Sequence, residues 1–359
     1  MAQSGIRVKI SDIAARAGVS TGTVDRVIHN RGEVAPKTRA RILKFLREMK
    51  YETDILASTL ASKKTYRFIA LLPETNQLNP FWFTPVEGLD AALGEIKHFG
   101  ITLEKLYFSH LDRNDFVNKL KQILKAKPSG VILVPAFTEP AIIYTAELAK
   151  LNIPVVSLNA NLAHPDIAAF VGQNSFRSGM VAAQLFDFGI NCNADIYIIN
   201  IVNDKGANGH ILERELGFRQ YYTDGNTKNK RSLTTININP LEADKIGTVL
   251  QGAMGQWDDP LTKRGIFVTN SKVFHVATWL QQTNQTNNIL IGYDLVKQNL
   301  EFLRGGIINF LLSQQPFNQG YKSVMALFNT LVLKKEIVKH QYLPIDIISK
   351  ENIDFYQNY

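Results

Sequence analysis

Residues 21–30, TGTVDRVIHN, put a guanidinium, a carboxylate, an imidazole and two threonine hydroxyls on one short stretch. Val24, Val27 and Ile28 follow the i, i+3, i+4 rule of a helix with one apolar side. On that helix Thr21, Gly22, Asp25, Arg26 and His29 face outward. Arg26 suits base reading, because one guanidinium can bond guanine O6 and N7 together. Thr21 can reach a base edge or a thymine methyl. Thr23, Arg31, Thr38 and Arg39 suit phosphates, which position a protein on a duplex without specifying sequence. Asp25 is out of place against a polyanion. Three explanations stand open: an i, i+4 pair with His29, acceptance of a bond from cytosine N4, or repulsion that weakens non-specific binding.

A second set of candidates lies further along. NPFW, residues 79–82, follows an apolar run. Asn159 follows VVSL, Asn270 ends GIFVTN and Asp294 ends ILIGYD. If the apolar runs are strands, these residues stand at their carboxyl ends, where open α/β sheets bind ligands. Aromatic rings with a few fixed amides and carboxylates suit a sugar, with ring faces on Phe81 or Trp82 and hydroxyls on Asn79, Asn159, Asn270 and Asp294. The plainer alternative makes Phe81 and Trp82 core and each Asn a turn residue.

Three regions would position these residues. In the head, residues 1–50, Ser11 is expected to cap a helix over 12–17, Gly18 to stop it, and Ser20 to cap the helix just described. Pro36 opens a third helix with Ile42, Leu43, Phe45, Leu46 and Met49 on its apolar side. Three short helices with a Gly-containing turn after the first make a helix-turn-helix pattern. A connector, 51–66, carries LASTLASKK, with Leu56, Ala57 and Leu60 at helical spacing but too short to be stable alone. From Arg67 onward apolar runs alternate with amphipathic stretches: RFIALLPE, ITLEKLYFS, GVILVPA, PVVSLNA, AAFVGQN, ADIYIINIV, LTTININ, GIFVTN and ILIGYD. Near-continuous apolar strands separated by helices mean parallel sheet covered on both faces. The series reads as two halves of about 120 residues, hence two doubly wound lobes.

The charge agrees with this division. The 359 residues carry a net +8, and the first 64 hold thirteen Lys/Arg against six Asp/Glu, or +7. A small basic head on a nearly neutral body is the electrostatic footprint of a nucleic-acid reader. Cys192 is the only cysteine, so an intrachain disulfide is excluded. No apolar run approaches the roughly 20 residues of a membrane span. The expectation is a cytoplasmic, reduced protein without membrane contact. No G-x-S-x-G, P-loop, G-x-G-x-x-G or H-E-x-x-H occurs, and the seven His show no ligand spacing. The reading is therefore not an enzyme, with no metal and no cofactor beyond a small-molecule effector.

The head segment KISDIAARAGVSTGTVDRVIHNRGEVAPKTRARI is similar to the LacI/GalR family of bacterial repressors. That family reads A-x-x-A-G-V-S-x-x-T-V-S-R-V-L-N and then V-x-x-x-T-R. Ala14, Ala17, Gly18, Val19, Ser20, Thr23, Val24, Arg26, Val27, Val34, Thr38 and Arg39 match in order. The resemblance implies that Thr21, Gly22 and Arg26 contact bases. Asp25 and His29 depart from it, replacing a small hydroxyl residue and an Asn. It also implies that the connector folds into a hinge helix on DNA. There Ala57 and Leu60 match the residues that pair two such helices and wedge into the minor groove, an unstacking offset by the contacts of a bent duplex.

The body resembles type I periplasmic sugar-binding proteins, the fold this family shares. NPFW matches their N-P-F-F, Asn270 the N of A-N-D, Asp294 the D of G-Y-D, and Gln314 a Gln in a late crossover strand. Arg214 in RELGF matches the effector-clamping Arg of R-x-x-G-F. Many members have Asp-Arg where this chain has Asn159-Ala160, which implies an effector other than the common pentoses and hexoses. The resemblance implies discontinuous lobes, about 67–174 with 306–336 and 175–305 with 337–359, crossing near Asn174, Gly305 and Glu336.

The expected molecule is thus a multidomain chain. It has an all-α helix-turn-helix head, a hinge helix and an α/β body of two doubly wound parallel-sheet lobes. The expected function is a homodimeric transcriptional regulator, a repressor of carbohydrate genes. It binds a pseudo-palindromic operator and responds to a sugar, sugar acid or sugar phosphate held between the lobes. The rivals are a constitutive DNA-binding protein with a vestigial pocket and a stand-alone sugar-binding protein.

Overall fold

The computed structural model describes residues 8–28, 31–49, 51, 64–76, 80–190, 194–202, 209–224, 231–239, 245–254, 263–285 and 287–356. It divides into two compact units, Met1–Ser62 and Lys63–Tyr359.

The first unit holds α1 (Ile10–Ala17), α2 (Thr21–Ile28) and α3 (Pro36–Glu48). Gly18 ends α1 at φ 61°, and the N–H groups of Gly18 and Val19 donate to Ala15 and Ala14 carbonyls. A residue with a Cβ is disfavoured in that left-handed turn, which sets the angle between the first two helices. The helix begins earlier than Ser11 allows. Asp12 reaches back to accept the Lys9 N–H at 2.8 Å, so Lys9 is the cap and Ser11 falls inside the first turn. Ser20 does cap α2, its hydroxyl accepting the Thr23 N–H at 3.2 Å. Pro36 stands in the first turn of α3. Ile13, Ala14, Ala17, Val24, Val27 and Ile42 form the core, with Phe45, Leu46 and Met49 packed on it. Leu43 departs from the expected apolar side, being 39% exposed. It falls one step off the i, i+3, i+4, i+7 stripe of Ile42, Phe45, Leu46 and Met49.

The second unit is built on two six-stranded sheets. Its elements are β1 (Tyr66–Pro73), α4 (Phe83–Ile96), β2 (Ile101–Phe108), α5 (Arg113–Ala126), β3 (Gly130–Leu133), α6 (Thr138–Lys150), β4 (Val155–Leu158) and β5 (Ile167–Gln173) in the first lobe. The second lobe follows with α7 (Ser175–Gly189), β6 (Ile196–Ile201), α8 (Gly209–Thr223), β7 (Leu233–Ile238), α9 (Ile246–Met254), β8 (Gly265–Val268), α10 (Val273–Gln282), β9 (Ile289–Tyr293), α11 (Lys297–Arg304) and β10 (Phe310–Ser313). The chain then returns to the first lobe with α12 (Pro316–Leu331) and β11 (His340–Leu343), and ends in the second with β12 (Asp346–Ile348).

Sheet order is β11-β5-β4-β3-β1-β2 in one lobe and β12-β10-β9-β8-β6-β7 in the other, parallel except for the β10–β12 pair. The nine apolar runs of the sequence are β1 to β9. Their alternation divides each sheet into two cores: Phe68, Ala70 and Leu72 of β1 pack on one face, Ile69 and Leu71 on the other. In β6, Tyr197, Ile199 and Ile201 face one side, and Ile196 and Ile198 the other. Burial on both faces is why the inner strands read as near-continuous apolar runs, while the edge strands β2 and β7 carry most of the polar residues.

Sheet membership places the three crossings between the lobes at Asn174, between Ser313 and Pro316, and between Leu343 and Asp346. The last two lie later in the chain than Gly305 and Glu336. FLLS of β10 pairs with β9, and HQYL of β11 with β5, so each stays with its sheet before the chain crosses.

Candidate functional site

On the head, α2 presents Thr21, Gly22 and Arg26 to solvent, while Thr23 and Asp25 are half-buried. The Ser20 cap fixes this end of the helix, and its hydroxyl also meets the Thr23 hydroxyl at 2.9 Å. The Arg26 Nε donates to the Gly22 carbonyl at 3.3 Å, which holds the stem along the helix and carries the guanidinium with it. Arg31 is exposed beyond α2, and Thr38 and Arg39 occupy the first turn of α3. Thr21 and Gly22 lie at the N-terminal end of the second helix, the end that enters a major groove in helix-turn-helix docking. His29, Ala57 and Leu60 lie outside the described residues.

In the body, one buried polar chain joins the lobes beneath the strand ends. Arg214 of α8 is 1% exposed. Its Nη1 donates to the Thr269 carbonyl at 2.7 Å and its Nη2 to Gln314 Oε1 at 2.5 Å. Its guanidinium lies 3.8 Å from the centroid of the Tyr293 ring, a cation–π contact strengthened by the absence of water. Ser178 of α7 orients that ring through a 2.8 Å hydroxyl contact. Gln314 Nε2 donates to Asp294 Oδ2 at 2.8 Å. From the first lobe, Asn159 donates to Gln314 Oε1 at 3.3 Å and to Gln319 Oε1 at 3.1 Å. Asn159 and Asp294 each end a strand in the left-handed region, at φ 70° and 68°, which turns their side chains off the sheet ends.

Two atoms of this chain have no partner among the described residues: Arg214 Nε and Asp294 Oδ1. One is a donor and one an acceptor, both buried. A buried polar atom without a partner costs about 1–3 kcal/mol, so a ligand hydroxyl that satisfies it gains that back. Burial raises the Asp294 carboxyl from 3.8 to about 7, against the pull of Arg214 and the Gln314 bonds. Burial also pushes the Arg214 guanidinium down from its ordinary value. A cavity of about 1170 Å³ reaches Asp294, walled by Phe81, Phe83 and Phe317 from the first lobe and by Leu300 and Tyr356 from the second.

Residues 9–54 match the model of the bacterial regulatory proteins of the lacI family, and residues 69–335 match a periplasmic binding protein domain. The body is similar to the crystal structure of a candidate LacI transcriptional regulator from Bacteroides fragilis. The two are 30% identical with a TM-score of 0.72, over 82% of this chain and all of that one. The chain belongs to the LacI family. Among curated relatives, the sucrose operon repressor of Streptococcus mutans is 23% identical over 96% of this chain and 99% of its own length. The transcriptional regulator MalR of Streptococcus pneumoniae is 26% identical over 50% of this chain, and the match spans 53% of that protein.

The body brings together Asn159, Arg214, Asp294 and Gln314 of the expected effector set. Asn270 sits beside them, but its amide holds the turn after β8: Nδ2 donates to Ile201 O at 2.8 Å and Oδ1 accepts the Lys272 N–H at 3.1 Å. One N–H is left for a ligand. Phe81 lines the cavity, while Trp82, 4% exposed, packs in the first-lobe core against Phe81 at 5.1 Å. Asn79 lies outside the described residues. Sequence reasoning missed Tyr293, Ser178, Thr269 and Gln319, which orient the polar chain. It also missed His110 and Lys272, which follow β2 and β8 by two and four residues, and His210 in the first turn of α8. The positions of His110 after ITLEKLYFS and of Lys272 after GIFVTN were the available signal; His210 stands eight residues past ADIYIINIV, and no strand end marks it.

Proposed function

We propose that this LacI-family chain is a DNA-binding transcriptional regulator whose operator affinity is set by a small polyhydroxylated effector held between the lobes. The observation that supports it most is the buried chain Asn159–Gln314–Arg214 and Asp294. It runs from one lobe to the other and leaves a donor and an acceptor to be satisfied. Such a pair suits adjacent hydroxyls of a sugar, which donate and accept at once. Ligand binding there favours one angle between lobes, and the connector 51–66 would transmit that angle to the heads. The head, hinge and two-lobe division belongs to this proposal, as do the homodimer and the pseudo-palindromic operator that a two-fold axis requires. Sucrose operon repressors among the relatives make sugar-operon control the leading reading. In the head, Arg26 reads a base and Thr21 assists, with Thr23, Arg31, Thr38 and Arg39 on phosphates.

The test is fluorescence anisotropy of the full chain on operator DNA selected from random sequence, titrated with mono- and disaccharides, sugar acids and sugar phosphates. At least one compound should shift operator affinity fivefold or more, the lower end of typical allosteric coupling. Arg214→Met should abolish that shift and leave effector-free operator affinity unchanged. An affinity that ignores every compound would leave a constitutive DNA-binding protein.

A further inference from the structure

Beside the polar chain stands a group of basic side chains that hydroxyl recognition does not require. Lys272 follows β8 in a turn fixed from both sides. Asn270 accepts its N–H, and Asn299 donates to Ser271 O at 2.9 Å and accepts the Phe274 N–H at 3.0 Å. Phe274 packs against the first-lobe core, so this second-lobe turn abuts the other lobe. His110 stands two residues past β2 on that first lobe, its ring 5.9 Å from Phe108. His210 lies in the first turn of α8, one helical turn before Arg214.

Their charges act on one another across the lobes. Burial first and the Lys272 charge second bring His110 down to about 4, and do the same for His275. Burial, Arg214 and His110 together push His210 well below its ordinary value. Burial alone lowers Lys272. Among the described residues no carboxylate pairs with Lys272. The acids close to Arg214 are Asp294, which burial holds toward its neutral form, and Glu213, exposed on α8. Geometry places them together: Arg214 reaches the turn that carries Lys272 through the Thr269 carbonyl, His210 stands one helical turn before Arg214, and the His275 ring lies 4.1 Å from Phe274 where that turn meets the first lobe, with little negative charge to offset the two cations.

We propose that the effector carries an oxyanion, a carboxylate or a phosphate, received by Lys272, His110 and His210 beside Arg214 while its hydroxyls meet Asp294 and Asn159. This rests on the effector reading above and narrows it to a chemical class. An oxyanion accepts from the ammonium, from Arg214 Nε and from imidazole N–H groups, and it supplies the missing countercharge. Because the basic groups come from both lobes, the anion also draws the lobes together.

The experiment is isothermal titration of the full chain with matched sets: D-glucose, D-glucuronate and D-glucose 6-phosphate; D-galactose, D-galacturonate and D-galactose 6-phosphate; D-ribose, D-ribonate and D-ribose 5-phosphate. One anionic member should bind at least tenfold tighter than its neutral parent, and whether it is an acid or a phosphate identifies the oxyanion. Lys272→Met should weaken that compound at least tenfold and leave the parent unchanged. His110→Asn should weaken it severalfold, and is read alone where Lys272→Met does not fold. A neutral sugar that binds as tightly as its charged forms, in wild type and Lys272→Met alike, would overturn the oxyanion and leave the effector reading standing. Absence of binding by every compound in these sets, and by the disaccharides of the operator titration, would overturn the effector reading itself.

Discussion

Asp294 is held at a cost to the effector-free protein. Its carboxyl is buried, one oxygen has no partner, and Arg214 acts on it only from beyond Gln314. With the folded value at about 7 and the ordinary value at 3.8, the native state holds this proton more tightly than the unfolded chain. Stability from the neutral carboxyl is therefore full below about pH 4 and is lost as pH rises to about 7. At about 1.4 kcal/mol per pH unit the whole range amounts to roughly 4 kcal/mol, with 2–3 of them between pH 5 and 8. Asp294→Asn removes the ionisation, keeps an acceptor for Gln314 and tolerates a φ of 68°. The melting temperature of the variant minus that of wild type should become more positive from pH 5 to pH 8, by several degrees. A difference that is flat with pH would mean that Asp294 is already ionised in the effector-free protein. The same variant should weaken effector binding, because with Gln314 holding the amide oxygen an NH2 donor stands where Asp294 Oδ1 offers an acceptor.

The elements that carry these residues are set by four glycines. In the first lobe, α4 crosses α12 where Gly88 lies over the carbonyl of Phe317 and Gly320 over that of Pro85. In the second, α7 crosses α8 where Gly179 lies over the carbonyl of Arg214 and Gly217 over that of Phe176. Each carbonyl belongs to the residue three positions before the partner glycine, so the two lobes share one crossing device. A methyl at any of the four would overlap backbone. Gly217→Ala should cost more than 2 kcal/mol, since backbone cannot yield as a side chain does. It should also weaken effector binding, because α8 carries Arg214 one turn earlier. Gly94, also on α4, meets nothing within 4 Å, and Gly94→Ala should instead stabilise by about 0.5–1 kcal/mol. Urea denaturation of both variants checks the pair, and equal effects would refute the close crossing.

These glycines were not legible in the sequence, because nothing in a single chain says which helices touch. The strands β1 to β9 were legible: burial on both faces leaves β3, β4, β8 and β9 as near-continuous apolar runs, and the edge strands β2 and β7 keep enough apolar positions to show despite their Thr, Glu, Lys and Asn residues. The short outer strands were not: HQYL has half its residues exposed and DII only three residues. The strand-end rule found Asn159 and Asp294. It passed over Lys272 and His110 because neither motif nor periodicity marks a basic residue two to four places beyond a strand end.

Across the whole molecule, the lobes are joined at three crossings that one side chain ties together. Gln173, at the end of β5 and 2% exposed, donates to Ser313 O at 3.0 Å and to Pro344 O at 3.1 Å, so all three crossing segments share its amide. A hinge bonded in this way bends as a unit, as a two-state coupling between effector and operator requires. The molecule then has two anion-binding regions of opposite character. The head is basic and solvated: Arg26 and Arg31 are exposed, and its partner is a polyanion with condensed counterions. Operator affinity should fall roughly 10³-fold or more between 50 and 200 mM salt if six or more phosphates are neutralised. In the body's basic group Arg214 is 1% exposed and Lys272, His110 and His210 are half-buried, and screening acts more weakly there than on an exposed surface. Affinity for the anionic effector should change less than about threefold over the same range. Anisotropy and calorimetry run in matched buffers test both slopes. A flat operator slope would argue against phosphate contact by the head. An effector affinity that falls as steeply as the operator's would place its anion on an exposed surface, away from Arg214 and Lys272.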